Sequence, residues 1–368
     1  MERLTKIIHV LTDTNIGGAG IWLLNFAKGF DKNRYELIVA LPQNAELAPR
    51  LTAMGIKVAP VSGIADESFS ISGIKEFKKL FKAEKPDIIH THASMSARIA
   101  ARMCKIPIVN TRHCIENPKH GIKKVIYGII NNALSDVVIG VSKAAYDNLA
   151  ADGTKPEKLR MVYNGVYPLK RLPDEERAKI REKYNIPAQN IVVGITARLE
   201  DVKNHKLFLD ACEIIAKKRK DITFLIVGTG TKEESLKQYA AELGIGERVI
   251  FAGYQKDITE LMNITDINTL TSKNEALSIS LIEGMSIEIP AVATASGGPE
   301  EVVENNVSGI IVKNYDKTAF ADAVLALADN PALREKMGKE GKKRAEDVFS
   351  ISTMIKALEK IYDELIHK

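Results

Sequence analysis

Two glutamates at a fixed spacing carry the strongest chemical signal in this chain. They sit in Glu275-Ala276-Leu277-Ser278-Ile279-Ser280-Leu281-Ile282-Glu283-Gly284-Met285. The run 266–271 just before them reads as a strand, and Ser278 is a residue type that caps a helix. Glu275 is then expected in the loop ahead of that helix, and Glu283 about a turn and a half inside it. Between them, at Leu277, Ser278, Ile279 and Ser280, lie backbone N–H groups of a first helical turn, a natural seat for phosphate. One carboxylate can accept hydrogen bonds from sugar hydroxyls and the other from ribose hydroxyls. The competing reading is one capping acid and one surface acid.

Arg198 and Lys203 form a second pattern, in Thr196-Ala197-Arg198-Leu199-Glu200-Asp201-Val202-Lys203-Asn204. They follow a strand-like run, at the carboxyl end where doubly wound sheets bind ligands. Arginine can fork onto two phosphate oxygens and lysine adds a point charge, so together they can neutralise a diphosphate without metal. Solvated loop charges are the plain alternative. Three glycine turns also follow strand-like runs: Gly17-Gly18-Ala19-Gly20, Gly228-Thr229-Gly230 and Gly297-Gly298-Pro299. Glycine there lets backbone N–H groups approach a phosphate. None is a full dinucleotide fingerprint or a Walker A loop.

The elements that must position these residues alternate along the chain. Strands are expected at 7–11, 36–41, 88–92, 108–111 and 137–141, and again at 191–196, 223–227, 249–251, 266–271, 291–294 and 309–312. Helical stretches fall between them, which predicts parallel α/β sheets with right-handed crossovers. The run 167–189 is rich in charge and holds Pro168, Pro173 and Pro187, so it reads as an interdomain connection with a short helix inside. The expected division is a first domain over 1–170, a linker over 171–189 and a second domain over 190–349. An amphipathic helix follows at 350–368, with Met354, Leu358, Ile361 and Leu365 at helical spacing. A length of 368 residues suits two such domains.

Composition narrows the class. Hydrophobic content of 45% and charged content of 27% describe a soluble globular chain. No apolar run approaches the roughly 18 residues that span a bilayer, and the apolar stretch 7–11 is too short for a secretory leader and reads as a first buried strand. Cys104, Cys114 and Cys212 lie in no metal or redox spacing and suggest a reducing compartment. Residues 1–168 carry 23 Lys and Arg against 15 Asp and Glu, while the whole chain has a net charge of +5. The basic first half points to an anionic partner for that half, or to ordinary variation between domains.

The ordered set resembles glycosyltransferase family 4. The resemblance rests on Glu275-x7-Glu283, then Pro290-Ala291-Val292-Ala293-Thr294-Ala295-Ser296-Gly297-Gly298-Pro299-Glu300-Glu301-Val302-Val303. It extends to Arg198-Leu199 with Lys203, Val227-Gly228-Thr229-Gly230, Phe251-Ala252-Gly253-Tyr254, Tyr163-Asn164-Gly165-Val166 and Pro86-Asp87-Ile88-Ile89-His90-Thr91-His92. Each piece is weak alone. Their joint order is specific and covers essentially the whole chain.

That resemblance implies a GT-B fold, with two doubly wound Rossmann-like domains facing a central cleft, and a retaining transfer of a hexose or N-acetylhexosamine from a UDP- or GDP-sugar. It implies that Arg198 and Lys203 hold the donor diphosphate, that Glu275 meets the donor sugar and that Glu283 meets the ribose. Gly17 and Gly18 then approach the phosphate or sugar, His113 faces the transferred sugar, and the base lies near Gly253-Tyr254-Gln255-Lys256. The 350–368 helix is expected to pack back onto the first domain. No metal or other cofactor is expected. Two positions depart from relatives: Gly20 stands where a polar or charged residue is common, and Glu288-Ile289 where a small residue is common. The acceptor is expected to be a glycan or a lipid-linked molecule, and the location cytoplasmic, peripheral to the inner membrane face.

Three further readings belong here. His90 and His92 share a strand face and could bind metal, but no third ligand is evident, so packing and hydrogen bonding are expected. The stretch 119–130 mixes Lys119, Lys123 and Lys124 with Ile122, Val125, Ile126 and Ile129, and suits either anionic lipid or a core helix. Nucleic-acid modules and stacking series are absent from the sequence. Two rival functions share the fold, a nucleotide-sugar 2-epimerase and a non-catalytic nucleotide-sugar-binding protein.

Overall fold

The structure, a computed structural model, describes residues 3–117, 119–313 and 316–367. Met1 and Glu2, which open the expected first domain, and Lys368, which closes the expected terminal helix, lie outside the described residues. The chain divides into two units: residues 1–165 with 351–368, and residues 166–350.

The first unit holds β1 (Thr5–Val10), β2 (Tyr35–Pro42), β3 (Lys57–Val61), β4 (Ile88–Thr91), β5 (Ile108–Arg112), β6 (Val137–Gly140) and β7 (Leu159–Met161). Their order is β3-β2-β1-β4-β5-β6-β7, and every pairing is parallel. Alternation along β1 explains its burial on both faces. Ile7 and Leu11 join one core with Trp22, Phe26 and the helix Ile351–Ile366, whereas Ile8 and Val10 join the opposite core with Phe77, Phe81 and Ala97. The terminal helix presents Met354, Ile355, Leu358, Ile361, Tyr362 and Leu365 to the first of these cores, and so belongs to the first unit.

The second unit holds β8 (Ile191–Thr196), β9 (Ile222–Val227), β10 (Val249–Phe251), β11 (Ile267–Leu270), β12 (Ala291–Thr294) and β13 (Gly309–Val312), in the order β10-β9-β8-β11-β12-β13 and again all parallel. In each sheet the strand order reverses at one place, between β1 and β4 and between β8 and β11. Helices leave in opposite directions there and open a crevice outside the carboxyl ends of the strands.

The expected linker needs correction. The stretch 171–189 contains the helix Asp174–Lys183, and Ile180 and Ile186 pack with Val192, Leu225 and Leu261 of the second unit. Arg181 donates to Asp266 Oδ2 at 2.8 Å and to the Asn190 carbonyl at 2.8 Å. Its charge and prolines suggested an interdomain connection, but one apolar face and the hydrogen bonds of Arg181 fix it as an integral layer of that unit.

Candidate functional site

The cationic pair grows from the end of β8. Val192, Val193 and Ile195 are buried, and Ala197 N donates to Val227 O at 3.0 Å, so the chain stays registered on β9 as it leaves the sheet. Leu199 is fully buried and anchors the turn. Arg198 beside it is exposed, and no described side chain pairs with its guanidinium. A 3-10 turn, Asp201–Lys203, then brings Lys203 back toward the sheet before the helix His205–Lys218.

Gly228 and Gly230 shape this turn from the side. A Cβ on Gly228 would stand 2.1 Å from the Ala197 carbonyl, and one on Gly230 2.4 Å from that of Leu199. Gly228 also has φ of +137° and donates its N–H to the Gly253 carbonyl at 2.9 Å. The expectation that Gly228 offers its N–H to a phosphate is corrected here: that donor is already satisfied within the protein. These glycines exist so that the loops after β8, β9 and β10 can touch.

The carboxylates grow from the end of β11. Glu275 N donates to Ser296 O at 3.0 Å and Gly298 N donates to Glu275 O at 2.7 Å, which ties Glu275 to the loop after β12. A Cβ on Gly298 would meet Ala276 O at 2.4 Å, so only glycine permits this contact. Glu300 holds the same loop by accepting from Ser296 N and Gly297 N, both at 2.9 Å. The Glu275 carboxylate accepts from Lys203 Nζ and from Ser272 Oγ, the latter at 3.1 Å. The structure thus joins Lys203 and Glu275, from either side of the switch point, into one largely buried ion pair.

The helix Ile279–Ser286 follows, capped by Ser278, whose hydroxyl accepts from Leu281 N at 3.4 Å. Its first turn leaves the N–H groups of Ile279 and Ser280 without intrahelical partners, with Leu277 buried beneath. Glu283 stands one turn further along. Burial, with the negative charge of Asp257 added to it, pushes its carboxyl up to about 7. Tyr254 is exposed on the neighbouring loop, and Gln255 Nε2 donates to Ala252 O at 2.7 Å. Sequence reasoning missed Ser272, Asp257 and Glu300. Only Glu300 gave a local signal, an acid three residues into a glycine-opened helix.

In the first unit, Gly17 precedes the helix Gly18–Gly29 after β1. A Cβ on Gly17 or Gly18 would meet nothing within 4 Å, and neither has positive φ, so local packing does not require glycine there. His113 follows β5 and is half-buried, and burial lowers its pKa to about 4. Its Nε2 lies 2.8 Å from His92 Nδ1, and its own Nδ1 is enclosed without a hydrogen-bond partner. His90 bonds Tyr362 and Thr111, so the pair read as packing and hydrogen-bonding residues lies within such an array. Among the described residues no group of three or more His, Cys, Asp and Glu could hold a metal ion.

The helix Gly121–Leu134 exposes Ile122, Val125, Ile126 and Ile129, with Lys123 and Lys124 exposed beside them. No helix of the described residues is long and apolar enough to cross a membrane.

Comparison with known proteins agrees with this arrangement. Residues 176–344 match the family described as Glycosyl transferases group 1, and residues 16–168 match Glycosyltransferase Family 4. EpsD of Bacillus subtilis is 27% identical over 302 residues, 78% of this chain and 79% of that protein. The UDP-Gal:alpha-D-GlcNAc-diphosphoundecaprenol alpha-1,3-galactosyltransferase of Escherichia coli is 26% identical over 320 residues, 81% of this chain and 82% of that one. Among solved structures, Anabaena HepE in complex with UDP-glucose superposes with a TM-score of 0.86 at 22% identity, covering 98% of this chain and 99% of that chain. Two Rossmann-like domains in succession, the first matched by the Glycosyltransferase Family 4 model and the second by the group 1 model, make this chain a group 1 glycosyltransferase with the GT-B fold.

Proposed function

We propose that the chain transfers a hexose or N-acetylhexosamine from a UDP- or GDP-sugar to a glycan or lipid-linked acceptor, with retention of anomeric configuration. The observation that carries this is the set at the β8/β11 switch point: the exposed Arg198, whose guanidinium no described side chain bonds, the Lys203–Glu275 pair and the open first turn ahead of Glu283. The UDP-glucose bound by the Anabaena protein supports the choice of donor class, and the lipid diphosphate in the name of the Escherichia coli relative supports that of acceptor.

In this reading Arg198 forks onto the donor diphosphate and Lys203 turns a second N–H toward it while keeping Glu275. The N–H groups of Ile279 and Ser280 take the remaining phosphate oxygens. Glu275 accepts from sugar hydroxyls and Glu283 from the ribose, with Tyr254 and Gln255 beside the base. Gly228 and Gly230 act by shaping the Arg198 turn. The acceptor hydroxyl attacks the anomeric carbon from the face the diphosphate leaves. The bond from that carbon to the phosphate oxygen breaks, and that oxygen takes the hydroxyl proton. Gly17 and Gly18 give backbone access to phosphate or sugar, and His113 contacts the transferred sugar. No metal is assigned a part.

The lipid-linked acceptor also gives the exposed Ile122, Val125, Ile126 and Ile129 stripe a role, resting on anionic lipid with Lys123 and Lys124 toward the headgroups. Ile126→Asp should then reduce sedimentation with vesicles containing phosphatidylglycerol; unchanged sedimentation removes this part of the reading.

A thermal-shift screen of nucleotide sugars tests the donor, because a ligand that binds only the folded state raises its apparent stability. A UDP- or GDP-sugar should raise the melting temperature, and incubation without acceptor should leave the sugar's configuration unchanged. No shift with any nucleotide sugar, or epimerisation of the donor alone, overturns the proposal.

A further inference from the structure

A chain of buried hydrogen bonds runs from His113 through the first sheet to the terminal helix and back. His113 Nε2 meets His92 Nδ1 at 2.8 Å, and His92 Nε2 meets His9 Nδ1 at 3.1 Å. His9 Nε2 meets the Tyr362 hydroxyl at 3.2 Å, and the same hydroxyl meets His90 Nδ1 at 2.6 Å. His90 Nε2 ends the chain on Thr111 Oγ1 at 2.7 Å. Parallel register places His9 opposite His90, and the alternation of strands puts Thr111 and His113 on one face of the β5 segment. Trp22 closes over the array, its ring 4.9 Å from that of His92 and 5.6 Å from that of His113.

The proton positions follow from counting donors. Burial lowers the pKa of all four histidines, so each is neutral and carries one N–H. The Thr111 hydroxyl is buried, and among the described residues His90 Nε2 is the one side-chain or backbone acceptor within its reach. A buried hydroxyl donates, so His90 Nε2 accepts and the His90 proton sits on Nδ1. His90 therefore donates to the Tyr362 oxygen, and Tyr362, with its single proton, donates to His9 Nε2. His9 must then donate from Nδ1 to His92, and His92 from Nδ1 to His113 Nε2. His113 is left with its proton on Nδ1, the nitrogen that has no partner among the described residues.

We propose that this chain fixes His113 as a hydrogen-bond donor through Nδ1, and that Tyr362 and Thr111 are positioning residues that set its tautomer from a distance. His113 then offers an N–H to an oxygen of the bound substrate and cannot act there as a base. Naming that oxygen as the sugar's rests on the function proposed above; the tautomer does not. The terminal helix gains a task beyond packing, because its Tyr362 hydroxyl relays direction from His90 to His9.

Nitrogen-15 spectra of the full chain with labelled histidine distinguish the two ring nitrogens. His9, His90, His92 and His113 should all carry the proton on Nδ1, and a proton on His113 Nε2 overturns the proposal. Tyr362→Phe removes the relay. His9, His92 and His113 should then turn to the Nε2–H form, which free imidazole side chains prefer. Activity with a nucleotide sugar should fall by about tenfold in kcat/KM, the scale of one lost hydrogen bond, with binding of the free nucleoside diphosphate unchanged. If Tyr362→Phe does not fold, Thr111→Val and Thr111→Ser decide. The valine should let the Nε2–H form of His113 appear and the serine should keep Nδ1–H. Unchanged spectra in Tyr362→Phe or in Thr111→Val refute the relay. Spectra of the predicted form in a chain that moves no sugar would instead leave the relay standing and defeat the proposed function.

Discussion

Replacing Glu283 with Gln removes the one carboxyl of the site whose ionisation the fold opposes. Burial and Asp257 raise it from 4.5 to about 7. Between these values the folded protein keeps a proton that the unfolded chain has lost. The native state therefore binds more protons, and stability falls as pH rises through the window. Below about 4.5 the group contributes nothing; above about 7 the whole penalty is present. At 1.36 kcal/mol per unit the penalty reaches about 3 kcal/mol. Urea denaturation of the two proteins from pH 5 to 8 isolates this term, because other groups titrate alike in both. The Glu283→Gln advantage should grow by up to about 3 kcal/mol across that range. Ribose hydroxyls that donate to the carboxylate should oppose the penalty, so calorimetry with UDP should show affinity rising more steeply from pH 6 to 8 in the parent than in the variant, in which only the terminal phosphate of UDP still titrates. A stability difference that does not change with pH refutes the buried-acid reasoning. A UDP profile no steeper in the parent than in the variant refutes the ribose assignment.

The two cations should separate by what they lose. Arg198→Ala should lower kcat/KM by about 2–4 kcal/mol of transition-state binding with little change in denaturation midpoint. Lys203→Ala should show a similar kinetic loss and also destabilise the fold by about 1–3 kcal/mol, since Glu275 loses its ionic partner; equal stability effects would refute the distinction. Transfer activity should survive EDTA, and full loss restored by Mg²⁺ or Mn²⁺ would refute the metal-free clamp.

The alternation of apolar runs with amphipathic stretches made both sheets legible, but two strands of the first escaped it. β3 and β7 are the sheet's two edges. β3 carries the exposed Lys57 and Pro60, and β7 spans three residues, so neither shows the doubly buried apolar run that marked the inner strands. The helix Asp174–Lys183 misled for the opposite reason. Ile180 is its one buried residue amid charge, and Arg181 is held by carbonyls that no sequence pattern announces.

The site was legible as residue types at strand ends and illegible as a set of partnerships. Spacing cannot say that Lys203 reaches Glu275 across the switch point, because the two lie on crossovers that leave β8 and β11 separately. The glycines show the same divide. Gly228, Gly230 and Gly298 are explained by carbonyls less than 2.5 Å from where a Cβ would stand, so the protein itself requires them. Gly17 and Gly18 have open space and ordinary φ, so nothing among the described residues requires glycine there. Sequence alone scored these turns alike. Once the satisfied ones are set aside, what remains open in the second unit, among the described residues, is Arg198 and the first turn at Ile279 and Ser280. Both are donors or donor-bearing backbone, the chemistry that suits phosphate oxygens.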